Sequence, residues 1–293
     1  MKDFSAIVSC KARLDHLRQT LPALCSLPLK EVILVDYGCP EESGKWASQH
    51  HPSVKVVHVT DDPGFNLPRA RNLGAEQATA EYLIFVDADV TMKPAALETL
   101  DEILAENVYV TIKTTGNDLR GFCAVPRAKF NQVSGYDDLL KNYGMEDVEF
   151  TTRLLQRGLN HKQISAELFD VITHDNALRA KYMSGSLAKN ILIATVYQEF
   201  VQRFRPMSGR NQLRREIREE IHAAAVGLVT QLINAKDPSG GIRLNMQLPN
   251  EVRDSFVGGD MDWEFEMTMT MKPKDPQAFK RRHQSVLHYK KSQ

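Results

Sequence analysis

The chain has 293 residues, 37 Lys+Arg against 37 Asp+Glu, and a hydrophobic share of 42%. These values fit an ordinary globular protein of one large or two modest domains; they exclude a disordered or coiled-coil chain and a globally basic nucleic-acid binder, so any charge preference is local. Four cysteines without a CxxC pair, no signal-like leader and no uninterrupted apolar span of about 18 residues lead to the expectation of a reduced, cytoplasmic protein, with peripheral attachment at the inner face of a membrane left open.

The first half alternates β-rich runs with helix-like segments, the pattern of a parallel sheet covered by helices. Strands are predicted at Phe4 to Ser9, Glu31 to Asp36, Val54 to Val59 and Tyr82 to Asp87. Between the first two, Leu14, Leu17, Leu21 and Leu24 line one helical face, and Pro22 is expected to end or bend that helix near Leu21. Further helices are predicted over Glu41 to His50, Pro68 to Ala78 and Pro94 to Glu106, the last with proline in its first turn. Two more strands follow, Val108 to Lys113 and Gly121 to Val125, then a helix from Met145 to Gln156 stopped by Gly158. The α/β unit is expected to occupy residues 1–180. Residues 181–293 read as a mainly helical extension with helices Ser186 to Phe204 and Gln212 to Asn234, a hairpin from Ile242 to Leu248 and Trp263 to Met271, and a basic tail.

Ligands of open parallel sheets bind beyond the carboxyl ends of the strands. Three predicted strands close in acidic residues: Asp36, then Asp61 and Asp62, then Asp87 and Asp89. Two carboxylates one residue apart repel unless a cation neutralises them, and a divalent ion shared with a nucleotide diphosphate meets that need. Asp-x-Asp alone is equally a solvated loop start.

Two segments add weight. Phe65-Asn66-Leu67-Pro68-Arg69-Ala70-Arg71-Asn72-Leu73-Gly74 opens the third helix, and Gly135-Tyr136-Asp137-Asp138 precedes Tyr143-Gly144-Met145-Glu146-Asp147-Val148-Glu149-Phe150 and Arg153-Leu154. Together with Asp87-Ala88-Asp89 they resemble the nucleotide-sugar transferases of the GT-A fold, family 2 and the galactosyltransferase C-terminal group, including β-galactosyltransferases and chondroitin-type polymerases. The resemblance covers residues 4 to 180, with Tyr143 and Met145 departing from the usual Trp and Gly. It implies an α/β fold of the GT-A, Rossmann-like kind, a mixed sheet flanked by helices. It further implies a metal-dependent, inverting transfer of a hexosyl or N-acetylhexosaminyl group from a UDP-sugar to a hydroxyl acceptor.

In such enzymes the residue at Asp147 is the catalytic base and that at Glu146 positions a sugar, while those at Asp36, Phe65, Arg69, Asn72 and Asp87 lie at the nucleotide. Asp89 and His174, with Asp87, would hold Mn²⁺, or Mg²⁺ in its place. The chemistry has its own logic: a sugar hydroxyl is a poor nucleophile, and a carboxylate at a helix start, stabilised by the helix dipole, can take its proton. Arg69 and Arg71 also read as a solvated helix start.

Carbohydrate, glycolipid and protein acceptors all stay open. The tail from Lys272 carries a surplus of six positive charges, which suits an anionic membrane surface or is merely solvated; nucleic acid is not expected, and the C-terminal helices leave room for a homodimer. Two other readings stand beside this one. A nucleotidyltransferase also uses strand-end carboxylates, though Cys10-Lys11-Ala12-Arg13 lacks its glycine-rich loop. A non-catalytic nucleotide-sugar-binding module would keep the fold alone.

Overall fold

The computed structural model describes residues 1–113, 119–141, 144–173, 181–182, 185–207 and 212–234, and the backbone of 242–247 and 264–269. Two compact units divide the chain, Met1–Gln198 and Glu199–Gln293.

In the first unit the predicted alternation becomes a seven-stranded mixed sheet. Strands β1 (Phe4–Cys10), β2 (Glu31–Asp36), β3 (Lys55–His58) and β4 (Tyr82–Asp87) are joined by β6 (Val108–Lys113), β7 (Cys123–Pro126) and β8 (Asn160–Ser165) in the order β3-β2-β1-β4-β7-β6-β8. The first four are parallel to one another, β7 is antiparallel to both β4 and β6, and β8 runs parallel to β6. A separate two-stranded pair joins β5 (Val90–Met92) to β9 (Phe169–Val171).

Period-two alternation divides the core. Phe4, Ala6 and Val8 of β1, with Ile84 and Val86 of β4, face one side, while Ile7, Leu83 and Phe85 face the other. The first side is covered by α1 (Leu14–Cys25), α2 (Ser43–His50) and α4 (Pro94–Ile103), whose Leu17, Leu21, Ala47, Leu97 and Leu100 join it. The second is covered by α3 (Leu67–Glu76), the short α5 (Arg127–Gln132) and α6 (Glu146–Gln156), through Ala75, Phe130, Phe150 and Leu154.

One boundary is corrected. Pro22 lies inside α1, which continues to Cys25. The last turn seats Leu24 in the core, 4% exposed. Burying a leucine contributes about 1.5–3 kcal/mol, comparable to the ~3 kcal/mol cost of an interior proline. Strand β8 escaped prediction because Asn160-His161-Lys162-Gln163 is polar and exposed, with Ile164 the one buried side chain of the strand. An edge strand of that composition has no apolar rhythm to read.

Helix α7 (Leu187–Met207) spans the boundary at Gln198, and its first half belongs to the first unit. In the second unit α8 (Arg215–Asn234) buries Ile217, Ile221, Ala225, Leu228, Val229 and Leu232 along one face. The expected hairpin is present as antiparallel β10 (Ile242–Gln247) and β11 (Glu264–Met269). Among the described residues no helix is long and apolar enough to cross a membrane.

Candidate active site

The sheet order reverses at β1, whose neighbours are β2 and β4. Register there pairs Cys10 with Asp36 and Ser9 with Asp87, so the carboxyl ends of the three strands share one rim. Such a switch point is where a ligand crevice forms in open α/β sheets.

At the centre of that rim lies Arg71, a residue of the singled-out motif to which the sequence assigned no specific role. It projects from α3 and is 2% exposed. One guanidinium nitrogen, Nη1, donates to Asp147 Oδ1 at 2.5 Å; the other, Nη2, donates to Asp87 Oδ1 at 3.1 Å and to the Gly121 carbonyl at 2.8 Å. The guanidinium also lies 5.0 Å from the centre of the Tyr136 ring. Burial opposes its charge, yet the neighbouring Tyr136 and the carboxylates of Asp147, Asp87 and Glu146 outweigh that and hold its pKa above the ordinary value. One buried cation therefore joins the end of β4, the start of α6 and the segment entering β7.

Gly121 makes this possible. A Cβ there would fall on the Asp87 carboxylate and on Arg71 Nη2, so its small size serves the ion cluster.

Helix α6 begins after Gly144 and Met145, both at positive φ, 114° and 74°. Its first turn carries Glu146, Asp147 and Glu149, which suits the positive end of the helix dipole. Glu146 is buried and its Oε2 accepts the Gly144 N–H at 3.0 Å. Burial, reinforced by the neighbouring charge of Asp147, pushes its pKa up to about 7. The Asp147 side chain keeps 26% of its surface exposed, enough to meet a ligand. Glu149 and Arg153 form a buried bidentate pair at 2.6 Å that fastens the helix from beneath. From α7, Gln198 donates to the Met145 carbonyl at 2.7 Å, and Tyr197 to Asp137 at 2.5 Å.

A second cluster lies at the ends of β1 to β3. Tyr37 donates to Asp62 at 2.7 Å, packs edge-on against Phe65 with centroids 5.6 Å apart, and receives Arg69 over its ring at 5.9 Å. Arg69 pairs with Asp61 at 2.6 Å. The buried Lys11 donates to the carbonyls of Pro63 and Gly64 at 3.1 and 2.6 Å and lies 5.7 Å from the Tyr37 ring centre. Phe65 and Arg69 thus meet at the Tyr37 ring, and Tyr37 and Lys11 are additions to the residues that the sequence singled out. A lysine after a strand and a tyrosine at a strand end carry no spacing signal of their own.

Two residues that the sequence assigned to the nucleotide are bonded to backbone. Asn72 Nδ2 donates to the Tyr136 carbonyl at 2.9 Å and its Oδ1 accepts the Tyr136 N–H at 2.8 Å. Both ends of the amide are spent on clamping the Gly135-Tyr136 turn to α3. Asp36 is buried, and its two oxygens accept the N–H groups of Cys39 and Gly44, each at 2.7 Å, so it organises the turn leading into α2.

The acidic pair at the end of β4 is neutralised by arginines: Asp87 by Arg71 at 3.1 Å, and Asp89 by Arg13 at the looser distance of 3.5 Å. His174 lies outside the described residues. Among the described residues no three His, Cys, Asp or Glu side chains gather as a metal site. Asp87 and Asp89 offer one or two carboxylates of the kind that hold a divalent ion shared with a diphosphate.

The family model for glycosyl transferase family 2 matches residues 5–161, over half of the chain. The chain belongs to glycosyl transferase family 2. The matched span contains both clusters described above. Family relatives include the uncharacterized glycosyltransferases YibD of Escherichia coli, 34% identical over 80 residues, and EpsJ of Bacillus subtilis, 33% identical over 91 residues. These matches cover 26% and 31% of this chain and only 22% and 25% of the relatives' length. Among solved structures, S. aureus TarS 1-349 in complex with UDP-GlcNAc superposes with a TM-score of 0.54 at 14% identity, covering 80% of this chain and 74% of that one. The family-2 chain therefore has the GT-A fold, as its mixed sheet indicates.

Proposed function

We propose that this protein transfers a sugar, hexosyl or N-acetylhexosaminyl, from a UDP-sugar to a hydroxyl acceptor with inversion at the anomeric carbon. The observation that carries the proposal is the Arg71 bridge, which ties Asp147 to the strand-end Asp87 across 60 residues of sequence. A base candidate and the rim where a donor diphosphate would lie thereby belong to one site.

Asp147 is the base. Its Oδ1 is engaged by Arg71, and a partly exposed carboxylate beyond that contact is placed to take the acceptor proton while the oxygen attacks the donor carbon. Burial raises the Asp147 pKa, which strengthens it as a base, while Arg71 opposes that rise and fixes the carboxylate's orientation, which favours a defined line of attack. Glu146, largely protonated below about pH 7, adds little repulsion to the ionised Asp147 and remains a sugar-positioning group. Attack opposite the departing diphosphate gives inversion.

Lys11, Tyr37, Phe65 and Arg69 form the nucleotide pocket, two cations for phosphate and two rings for the base and ribose, with Asp36 acting through the turn it holds. Asp89, with Asp87 and His174, would hold Mn²⁺ or Mg²⁺ brought in with the donor; such an ion supplies Lewis-acid stabilisation of the leaving diphosphate. UDP is the nucleotide chosen for the first test because TarS, which shares the fold, was solved with UDP-GlcNAc.

The test is a screen of UDP- and GDP-sugars for turnover and thermal stabilisation, with and without Mn²⁺. UDP release from one UDP-sugar supports the reading. Stabilisation without turnover under any acceptor would make the protein a nucleotide-sugar-binding module.

A further inference from the structure

Asp61 and Asp62 stand side by side after the third strand, yet they serve different partners. The Asp61 side chain is 66% exposed and pairs with Arg69 Nη2 at 2.6 Å. Asp62 is the less exposed of the two, at 28%, and each of its oxygens takes one donor. Oδ2 accepts the Tyr37 hydroxyl at 2.7 Å; Oδ1 accepts the Gly64 N–H at 2.9 Å, two residues on, as in an Asx turn. That turn presents the carbonyls of Pro63 and Gly64, and both accept from the Lys11 ammonium, at 3.1 and 2.6 Å. Lys11 follows β1, Tyr37 follows β2 and Asp62 follows β3, so one carboxylate ties together the turns at three neighbouring strand ends.

We propose that Asp62 is the positioning residue of the nucleotide pocket, setting the spacing between the Tyr37 ring and the Lys11 ammonium to suit a nucleoside diphosphate; this rests on the reading of Lys11, Tyr37, Phe65 and Arg69 as that pocket.

The residue type fits the task. An ionised carboxylate is an acceptor at both oxygens, and both partners here are donors. A ring that stacks on a base or ribose needs a fixed tilt, and Tyr37 is held at its hydroxyl by Asp62 and edge-on by Phe65, with centroids 5.6 Å apart. An ammonium has three N–H donors; two of those on Lys11 go to the turn carbonyls, which fixes the direction of the third. Arg69 adds to the arrangement, its Nη1 lying 4.0 Å from Asp62 Oδ2 and donating to the Tyr37 oxygen at 3.4 Å. Ring, cation and turn are thus ordered before a ligand arrives, which lowers the cost of binding it.

Equilibrium binding of uridine and of UDP to the full chain, with Mn²⁺ present throughout, tests this. Asp62→Ala should weaken both ligands, UDP by tenfold or more, with the donor KM rising by a similar factor and kcat changing less. Tyr37→Phe removes one of the two bonds and keeps the ring, and should weaken uridine and UDP by the same factor. Lys11→Met should weaken UDP and spare uridine. Asp62→Asn should restore most of the affinity lost in Asp62→Ala, because its amide oxygen keeps the Gly64 N–H while the Tyr37 hydroxyl turns to accept from the amide nitrogen. A UDP affinity in Asp62→Ala within twofold of wild type, or an unchanged uridine affinity in Tyr37→Phe, overturns the role of Asp62; the second result decides even where Asp62→Ala fails to fold. Lys11→Met binding UDP as tightly as wild type would instead remove the pocket itself.

Discussion

Arg71 shows how one side chain sets the chemistry of the rim. With two carboxylates on one guanidinium, its removal leaves Asp87 and Asp147 facing each other without a counter-charge. Breaking a buried ion network of this kind typically costs about 3–5 kcal/mol, so Arg71→Met should lower the urea midpoint substantially as well as abolish transfer. Arg71→Lys should keep part of the stability but not the two-sided bridge, because an ammonium lacks the planar fork. The pH response belongs to Glu146 and Asp147 as a pair. The folded protein retains a proton on Glu146 up to about pH 7, whereas the unfolded chain releases it near the ordinary carboxyl value of 4.5. Stability from this group is therefore complete in acid and declines as the pH rises through that interval. Turnover needs Asp147 ionised and not Glu146, so it should persist as Glu146 takes up its proton near pH 7 and fall only in stronger acid, in wild type and Glu146→Gln alike; an acidic limb near pH 7 that Glu146→Gln removes would make the ionised form of Glu146 the working one. Sequence reasoning found both carboxylates but not their cation. Arg69 and Arg71 look alike in the chain, and only the packing of α3 onto β1 and β2, which aims Arg71 at Asp87 and Asp147, leaves one half-exposed and buries the other.

At the scale of elements, the site depends on helices being held close to strand ends by residues too small to be in the way. Gly121→Ala would place a methyl group on Asp87 and Arg71, and transfer should fall by at least tenfold while the far-ultraviolet spectrum stays native; an unaffected rate would mean the cluster tolerates displacement. Gly74, by contrast, packs α3 onto Ile7 and Val35, so Gly74→Ala should act on stability, by about 1–3 kcal/mol of overpacking. The strands of the sheet core were legible because β1, β2 and β4 are apolar runs bounded by turns. Three-residue strands such as β5 and β9 leave no period to count. Asn72 was placed at the nucleotide on the strength of a motif alone; its amide has the geometry of a backbone partner, and only the neighbouring turn, distant in sequence, reveals that use.

For the whole molecule, the first unit contains the matched family span and the first half of α7, while Glu199–Gln293 forms a unit of its own. The acceptor, proposed to be a carbohydrate, glycolipid or protein hydroxyl, was not legible because selectivity lies in pocket shape, which no local motif encodes. Metal use is a prediction about assembly. With Asp87 and Asp89 already arginine-paired, Mn²⁺ alone should bind weakly, and Mn²⁺ with UDP should raise the melting temperature beyond the sum of their separate effects; calorimetric binding of Mn²⁺ to the free protein at micromolar concentration would contradict this. The most direct test of the central claim is single-turnover transfer by Asp147→Asn alongside its UDP affinity. The account predicts a loss of at least a thousandfold in the chemical step with UDP binding within a fewfold of wild type. Transfer at a tenth of the wild-type rate or more would contradict the assignment of Asp147 as the base.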